Sequence, residues 1–238
     1  MCKLCLTPNR RHFTAGLGVL SLATALMIPE RFAAANILHK PSLRPDEALA
    51  KLKEGNAKYR SSSEECEKDL ARHRKEEESG QAPWATILTC SDSRVVPELI
   101  FGGLNLGEVF VCRNAGNIAD DDMLGTIEYG AEHLGSSLVV VMGHQRCGAV
   151  TAACNMVQNG EKPGGFIGPL VGEIAAAAEE MMDRQGDFVA NTVLENARRN
   201  AETILTRSEA VKGLVTTGKL KVIHATYDID TGVVEFYG

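Results

Sequence analysis

The sequence predicts an α/β fold with a central, mostly parallel β-sheet flanked by helices and an antiparallel hairpin at its C-terminal edge. Three observations carry this expectation. Two short apolar, β-prone runs, Ala85-Thr86-Ile87-Leu88-Thr89-Cys90 and Leu138-Val139-Val140-Val141-Met142, stop abruptly in polar turns. Continuous apolar runs of this length suit strands buried on both faces of a parallel sheet. Segments with helical spacing lie around them, and alternation of strand, helix and strand implies right-handed crossovers. Near the C-terminus, Lys219–Tyr227 and Val233–Tyr237 flank Asp228-Ile229-Asp230-Thr231-Gly232, a hairpin that adds antiparallel strands to one sheet edge.

Composition narrows the function classes. With 238 residues, 44% hydrophobic and 24% charged, the chain can bury one sizeable core and is too ordinary for a disordered or fibrous protein. Its net charge of −6 and lack of a basic block give no electrostatic footprint for nucleic acid. The seven cysteines, Cys2, Cys5, Cys66, Cys90, Cys112, Cys147 and Cys154, are too few for a disulfide scaffold, and an odd number leaves one unpaired. Metal or redox chemistry fits them better.

Residues 1–35 have the layout of an export signal. Asn9-Arg10-Arg11-His12-Phe13 is a basic n-region, Thr14 to Ile28 is uncharged and apolar, and Ala33-Ala34-Ala35 precedes Asn36 as a cleavage site. The apolar stretch is shorter than the roughly 20 residues of a membrane span. The paired arginines before Phe13 resemble the twin-arginine type, so the expectation is cleavage after Ala35, a periplasmic product with no stable membrane anchor, and a single domain over 36–238. An uncleaved amphipathic helix or an anchor is the alternative. Removing this segment takes away Lys3, Arg10, Arg11 and Arg31 against Glu30, leaving a net charge of −9.

A helix begins at Pro45, with Asp46-Glu47 in its first turn and Ala48, Leu49, Leu52 and Tyr59 near helical spacing. Ser61 to Ser79 is charged almost throughout and reads as a solvated helix, with Cys66 an incidental thiol. After the first core strand, Pro97–Phe101 is a short helix, Gly107–Cys112 a second strand, and Asp120-Asp121-Asp122 opens a helix through Leu134. Beyond Cys147 a helix runs to about Gln158, Gly160–Gly165 is a loop, and Leu170–Asp183 and Phe188–Thr206 are packing helices.

The chemistry gathers where the two apolar runs end. Cys90, His144 and Cys147 provide three ligands of the kind zinc takes, which leaves one position free for water or substrate. Cys147 stands at the predicted start of a helix, where the dipole and free N–H groups favour a thiolate. Taken separately, Cys-x-Asp and His-x-x-Cys fit a metal or a disulfide and inert core thiols about equally; together, at the ends of two buried strands, they favour a metal. Asp92 and Arg94 are close enough for a charge-assisted bond that orients the carboxylate beside the ligand, although an ion pair on the surface is the alternative.

Cys90-Ser91-Asp92-Ser93-Arg94 with His144-x-x-Cys147 resembles the β-class carbonic anhydrases. The resemblance covers Gly80 to Cys154 closely, including Arg113-Asn114-Ala115-Gly116-Asn117 and Ile127-Glu128-Tyr129, and the terminal hairpin more loosely. It implies one zinc per chain on Cys90, His144 and Cys147, with Asp92 held by Arg94 as the catalytic dyad. It also implies that Gln81 is the plant-type active-site glutamine, and that Phe110, Ala115 and Tyr129 line an apolar pocket for carbon dioxide. Some bacterial members have an inhibitory bicarbonate site that needs a tryptophan three residues before the first cysteine ligand. Here Ile87 occupies that place, although Arg113 matches that site's arginine, so the open, plant-like form is expected. The implied reaction is reversible hydration of carbon dioxide to bicarbonate and a proton by hydroxide generated on zinc. The implied assembly is a homodimer or higher homo-oligomer whose site is shared between two chains. Hydrolysis of carbon disulfide or carbonyl sulfide on the same fold, or non-catalytic zinc binding, are the competing readings; a purely structural site would need none of Gln81, Asp92 and Arg94.

Overall fold

In the computed structural model, which describes residues 43–61, 78 and 80–238, the two apolar runs are central strands, β1 (Ala85–Cys90) and β3 (Leu138–His144), buried at every position. The predicted export segment at 1–35 and most of the charged stretch from Ser61 to Ser79, Cys66 included, lie outside the described residues. β2 (Val109–Asn114), β4 (Lys221–Tyr227) and β5 (Val234–Tyr237) complete a five-stranded sheet of order β2-β1-β3-β4-β5. The first four strands run parallel and only β5 is antiparallel. The hairpin therefore corrects the sequence reading in one respect: β4 pairs parallel with β3. The long helical crossover after β3 returns the chain to the starting end of the sheet, and only the short turn after Tyr227 reverses it.

The period-two alternation of each strand divides the core between two faces. Ile87, Val140, Met142, Ile223 and Ala225 pack with Ala48 and Leu52 of α1 (Pro45–Ser61) and with Ile100 and Phe101 at the end of α2 (Pro97–Ile100). Leu88, Val139 and Val141 face Leu124 and Ile127 of α3 (Asp121–Glu128), Ala197, Ala201 and Ile204 of α6 (Phe188–Arg207) and Val211 of α7 (Glu209–Thr216). A third apolar cluster joins Val150 and Ala153 of α4 (Gly148–Asn159), Val171, Ile174 and Ala178 of α5 (Ile167–Met181) and Val193 of α6 around Cys90 and Cys147. The buried Asn56 of α1 ties the first layer to the hairpin: its amide donates to the carbonyls of Ile100 (3.1 Å) and Gly232 (2.9 Å) and accepts from the Val234 N–H (3.0 Å).

Several boundaries differ from the sequence reading for local reasons. Gly107 has a φ of +79° and belongs to the turn, so β2 starts at Val109 and carries Arg113 and Asn114 within the strand. The helix opened by Asp120, whose carboxylate accepts from the Met123 N–H at 2.9 Å, widens to a π turn at Tyr129–His133. A Cβ at Gly130 would stand 2.6 Å from Thr86 Oγ1, so this turn rests against the sheet only because the residue is glycine. α7 was not anticipated. Ser208 ends α6 and caps α7, accepting from the Val211 N–H at 3.1 Å and donating to Glu128 at 2.6 Å. Among the described residues no helix is long and apolar enough to cross a membrane.

Candidate metal centre

Parallel pairing puts the carboxyl ends of β1 and β3 side by side, and in open α/β sheets these ends host the chemistry. Cys90 is the last residue of β1, His144 the last of β3, and Cys147 the N-cap of α4. Between the latter two, Arg146 takes a φ of +55°, which turns the chain back so that the thiol faces β1. The ligand atoms of all three residues lie within 4.8 Å of one another, and all three residues are buried.

The donor set fits zinc. Cys90 Sγ and Cys147 Sγ are 3.8 Å apart; two thiolates on a tetrahedral zinc at 2.3 Å would be separated by about 3.8 Å, whereas a disulfide needs about 2.05 Å. Both cysteines are free. His144 Nδ1 is 2.9 Å from the Gln145 carbonyl oxygen, which accepts and so requires the proton on Nδ1. That leaves the Nε2 lone pair buried without a hydrogen-bond partner. A buried polar atom with no partner is costly, and a metal relieves it. Cys112 and Cys154 are different: burial pushes Cys112 up to about 12 and raises Cys154, so both are inert core thiols.

Between Cys90 and Cys147, the hydrogen bond runs from the Cys147 thiol to the Cys90 sulfur. The Cys90 thiol is held well below the usual range, chiefly by the hydrogen bond from the Cys147 thiol and, against its burial, further by the His144 ring and the backbone N–H groups of Gly116 and Asp92. Donation to Cys90 and burial push Cys147 up, while the N–H groups of Val150 and Ala149 pull the other way. The helix N-terminus does act on Cys147 as anticipated, but the neighbouring Cys90 and burial act against it more strongly.

Asp92 is clamped beside this cluster. Its Oδ1 accepts from the Arg94 backbone N–H (3.0 Å) and Nε (2.9 Å), and its Oδ2 from Arg94 Nη2 (2.7 Å). The guanidinium holds the carboxyl well below the usual carboxylate range. Asp92 Oδ2 is also 3.9 Å from His144 Nε2, so the carboxylate borders the metal position while paired to Arg94. Arg113, compared above with the arginine of a bicarbonate site, points its guanidinium at the ligand loop: Nε donates to the Cys90 carbonyl (3.0 Å) and Nη2 to the Asp92 carbonyl (2.7 Å). Ile87 is fully buried in β1.

The remaining candidate residues fall into two groups. Ala115 directly precedes Gly116, whose N–H donates to Cys90 Sγ at 3.4 Å, and so stands at the metal end of the sheet. Phe110 pairs with Thr86, four residues before the Cys90–Asn114 rung, an offset of about 13 Å along the strand. Tyr129 accompanies Phe110, with ring centroids 6.1 Å apart, and is 37% exposed. Gln81 precedes the amino end of β1, whereas Cys90 closes its carboxyl end. Within one chain, therefore, the ligands, Asp92, Arg94 and Ala115 come together, and Gln81, Phe110 and Tyr129 stay near the other end of the strands.

A sequence profile of the carbonic anhydrases matches residues 85–234, a span that contains Cys90, His144 and Cys147. The chain belongs to the carbonic anhydrase family. It is 34% identical over 196 residues to carbonic anhydrase 2 of Mycobacterium tuberculosis, a match covering 81% of this chain and 92% of that protein. Among solved structures it resembles the β-carbonic anhydrase CafA of Aspergillus fumigatus (TM-score 0.61, 28% identity, 81% of this chain and 89% of that one). It likewise resembles a chain from two tetrameric β-carbonic anhydrases of Sordaria macrospora (TM-score 0.62, 26% identity, 69% and 85%). These neighbours place it in the β class of carbonic anhydrases.

Proposed function

We propose that the chain hydrates carbon dioxide reversibly to bicarbonate and a proton, using one zinc ion held by Cys90, His144 and Cys147. The observation that carries this reading is the orphaned, buried His144 Nε2 beside two thiols at zinc spacing, with an ionised Asp92 at its border. Zinc, when bound, supplies the Lewis acidity that makes water nucleophilic near neutral pH. The chain's residues do the rest. Asp92, ionised and therefore only an acceptor, receives a hydrogen bond from the reacting water and fixes its orientation. Arg94 keeps both carboxylate oxygens engaged, so that Asp92 does not itself become a ligand, and this pairing supports the open, plant-like reading. Ala115 lines the metal side of the small substrate pocket.

The other pocket residues come from a second copy in this reading. The roughly 13 Å offset of Phe110 from Cys90 along the strand supports it, as does the position of β2 at the sheet edge with Tyr129 exposed. The Sordaria macrospora relatives are tetrameric. A homodimer or higher homo-oligomer would bring Gln81, Phe110 and Tyr129 of one chain over the zinc of the other.

A stopped-flow carbon dioxide assay combined with zinc quantification tests the assignment. The wild-type protein should carry one zinc per chain and be active, and Cys147→Ser should lose metal and activity together. Full zinc occupancy in that variant would sink the ligand assignment, and turnover of carbon disulfide or carbonyl sulfide instead of carbon dioxide would move the substrate. The twin-arginine pattern at Arg10-Arg11 further supports export to the periplasm in folded form, with zinc already protecting Cys90 and Cys147 from oxidation. Replacing both arginines with lysine should strand the precursor in the cytoplasm; normal export would refute this route.

A further inference from the structure

We infer that Asn196, on α6, is a positioning residue for the metal ligand Cys90, acting through the backbone of Gly116; the inference rests on the zinc reading above. Asn196 is only 2% exposed, on the buried side of a helix that packs Val193, Ala197, Ala201 and Ile204 inward together with Thr192, Glu195 and Asn200. Burying an amide there is unfavourable unless its hydrogen bonds are made. They are: Nδ2 donates to the Gly116 carbonyl at 2.8 Å, and Oδ1 accepts from Asn200 Nδ2 at 3.1 Å. Asn200 also donates to the Asn196 carbonyl at 2.8 Å and accepts from the Ala119 N–H at 2.7 Å.

Gly116 is held at both ends by these contacts. Its carbonyl is fixed to α6 by Asn196, while its N–H points at Cys90 Sγ at 3.4 Å. Its φ of +85° suits glycine, and a Cβ there would meet Ile174 Cδ1 at 2.6 Å and Ala149 Cβ at 3.3 Å. Asn114 sets the internal shape of the same loop by bonding both the N–H (2.8 Å) and the carbonyl (2.7 Å) of Ile118. Shape thus comes from Asn114, while Asn196 and Asn200 fix the loop's placement against the sheet end. An N–H donated to a ligand thiolate withdraws charge from the sulfur and fixes its direction, and partners of this kind tune metal affinity. Asn196 therefore reaches the metal through one residue, without touching it.

The test uses the full-length protein, with zinc affinity measured by chelator competition and the cobalt(II)-substituted form examined by absorption spectroscopy. Asn196→Asp keeps the size and the acceptor for Asn200 but removes the donor to Gly116. It should weaken zinc binding by about 10–100-fold and move the thiolate-to-cobalt charge-transfer band to lower energy, as the sulfur loses its hydrogen bond. Should the buried carboxylate prevent folding, Asn196→Ala removes the same donor without a charge and carries the same expectation. Asn200→Ala is the comparison: it cuts the ties to Ala119 and to the Asn196 amide oxygen and lowers stability, but leaves the Asn196 donor to Gly116, so it should move the cobalt band less than the Asn196 variants do. An unchanged band and zinc affinity in the Asn196 variant overturn the inference, as does a band shift of equal size in Asn200→Ala. A wild-type protein that binds neither zinc nor cobalt would instead sink the zinc reading itself.

Discussion

Arg94 engages both oxygens of Asp92 and adds a contact of 3.4 Å to the Arg146 carbonyl, linking the turns after β1 and β3. Without it, an ionised carboxylate beside a cation site has an obvious competing partner, the metal itself. Arg94→Ala should therefore retain zinc yet lower carbon dioxide hydration near neutral pH by at least about 10-fold. Zinc analysis beside stopped-flow rates checks this; unchanged turnover would count against the dyad. The grouping of Cys90, His144 and Cys147 and the pairing of Asp92 with Arg94 were legible in the sequence because each residue ends, or closely follows, an apolar run whose strand identity is unambiguous. Arg113 and Asn196 were not. Nothing in the sequence tells that the guanidinium of Arg113 turns toward two backbone carbonyls, and Asn196 lies in an ordinary amphipathic helix some 80 positions from Gly116.

At the scale of elements, α5 and α6 cover the metal cluster and are joined by charge. Glu195, almost fully buried on α6, accepts from Arg198 at 2.7 and 2.8 Å and from Arg199 at 2.8 Å, and Arg199 also pairs with Glu180 of α5. Arg198 first, then Arg199, holds the Glu195 carboxyl below its unfolded value of 4.5. A lowered folded value means that the stabilisation is present above pH 4.5 and is lost as pH falls through the folded value. Glu195→Gln should thus cost about 1–2 kcal/mol at pH 7, the exposed arginines being partly screened. The deficit relative to wild type should shrink in acid, and urea unfolding at a series of pH values reads both effects; a deficit that grows in acid would contradict the ion-pair account. Element type was mostly evident from the sequence, since apolar runs and helical spacing dominate. Misplaced boundaries trace to single residues with special roles, such as Gly107 in its turn and Ser208 capping a helix that propensity alone did not separate. The direction of β4 depends on where a long crossover returns, which no local pattern encodes.

For the whole molecule, the separation of Gln81 and Tyr129 from their own chain's Cys90 makes the assembly part of the proposed site. A mixed dimer of Gln81→Ala and Cys147→Ser chains tests this. One of its two sites combines the intact ligands of the Gln81→Ala chain with the intact Gln81 of the other, while the second site carries both defects. Purified heterodimers should regain up to about half of wild-type activity, since catalysis needs both the metal and its positioning groups. Heterodimers no more active than the better homodimer would show that Gln81 acts within its own chain or not at all.

The apolar cluster around Cys90 and Cys147 also implies an order in time. The two thiols are 57 positions apart, and of the side chains packed around them Ile118 precedes Cys147 whereas Val150, Val171, Ile174, Ala178 and Val193 follow it in the chain. On a ribosome that makes the N-terminal part first, both thiols emerge before most of that cover has emerged and packed. Until α6 has been made and packed, the two sulfurs that would hold zinc are open to whatever oxidant the surroundings contain.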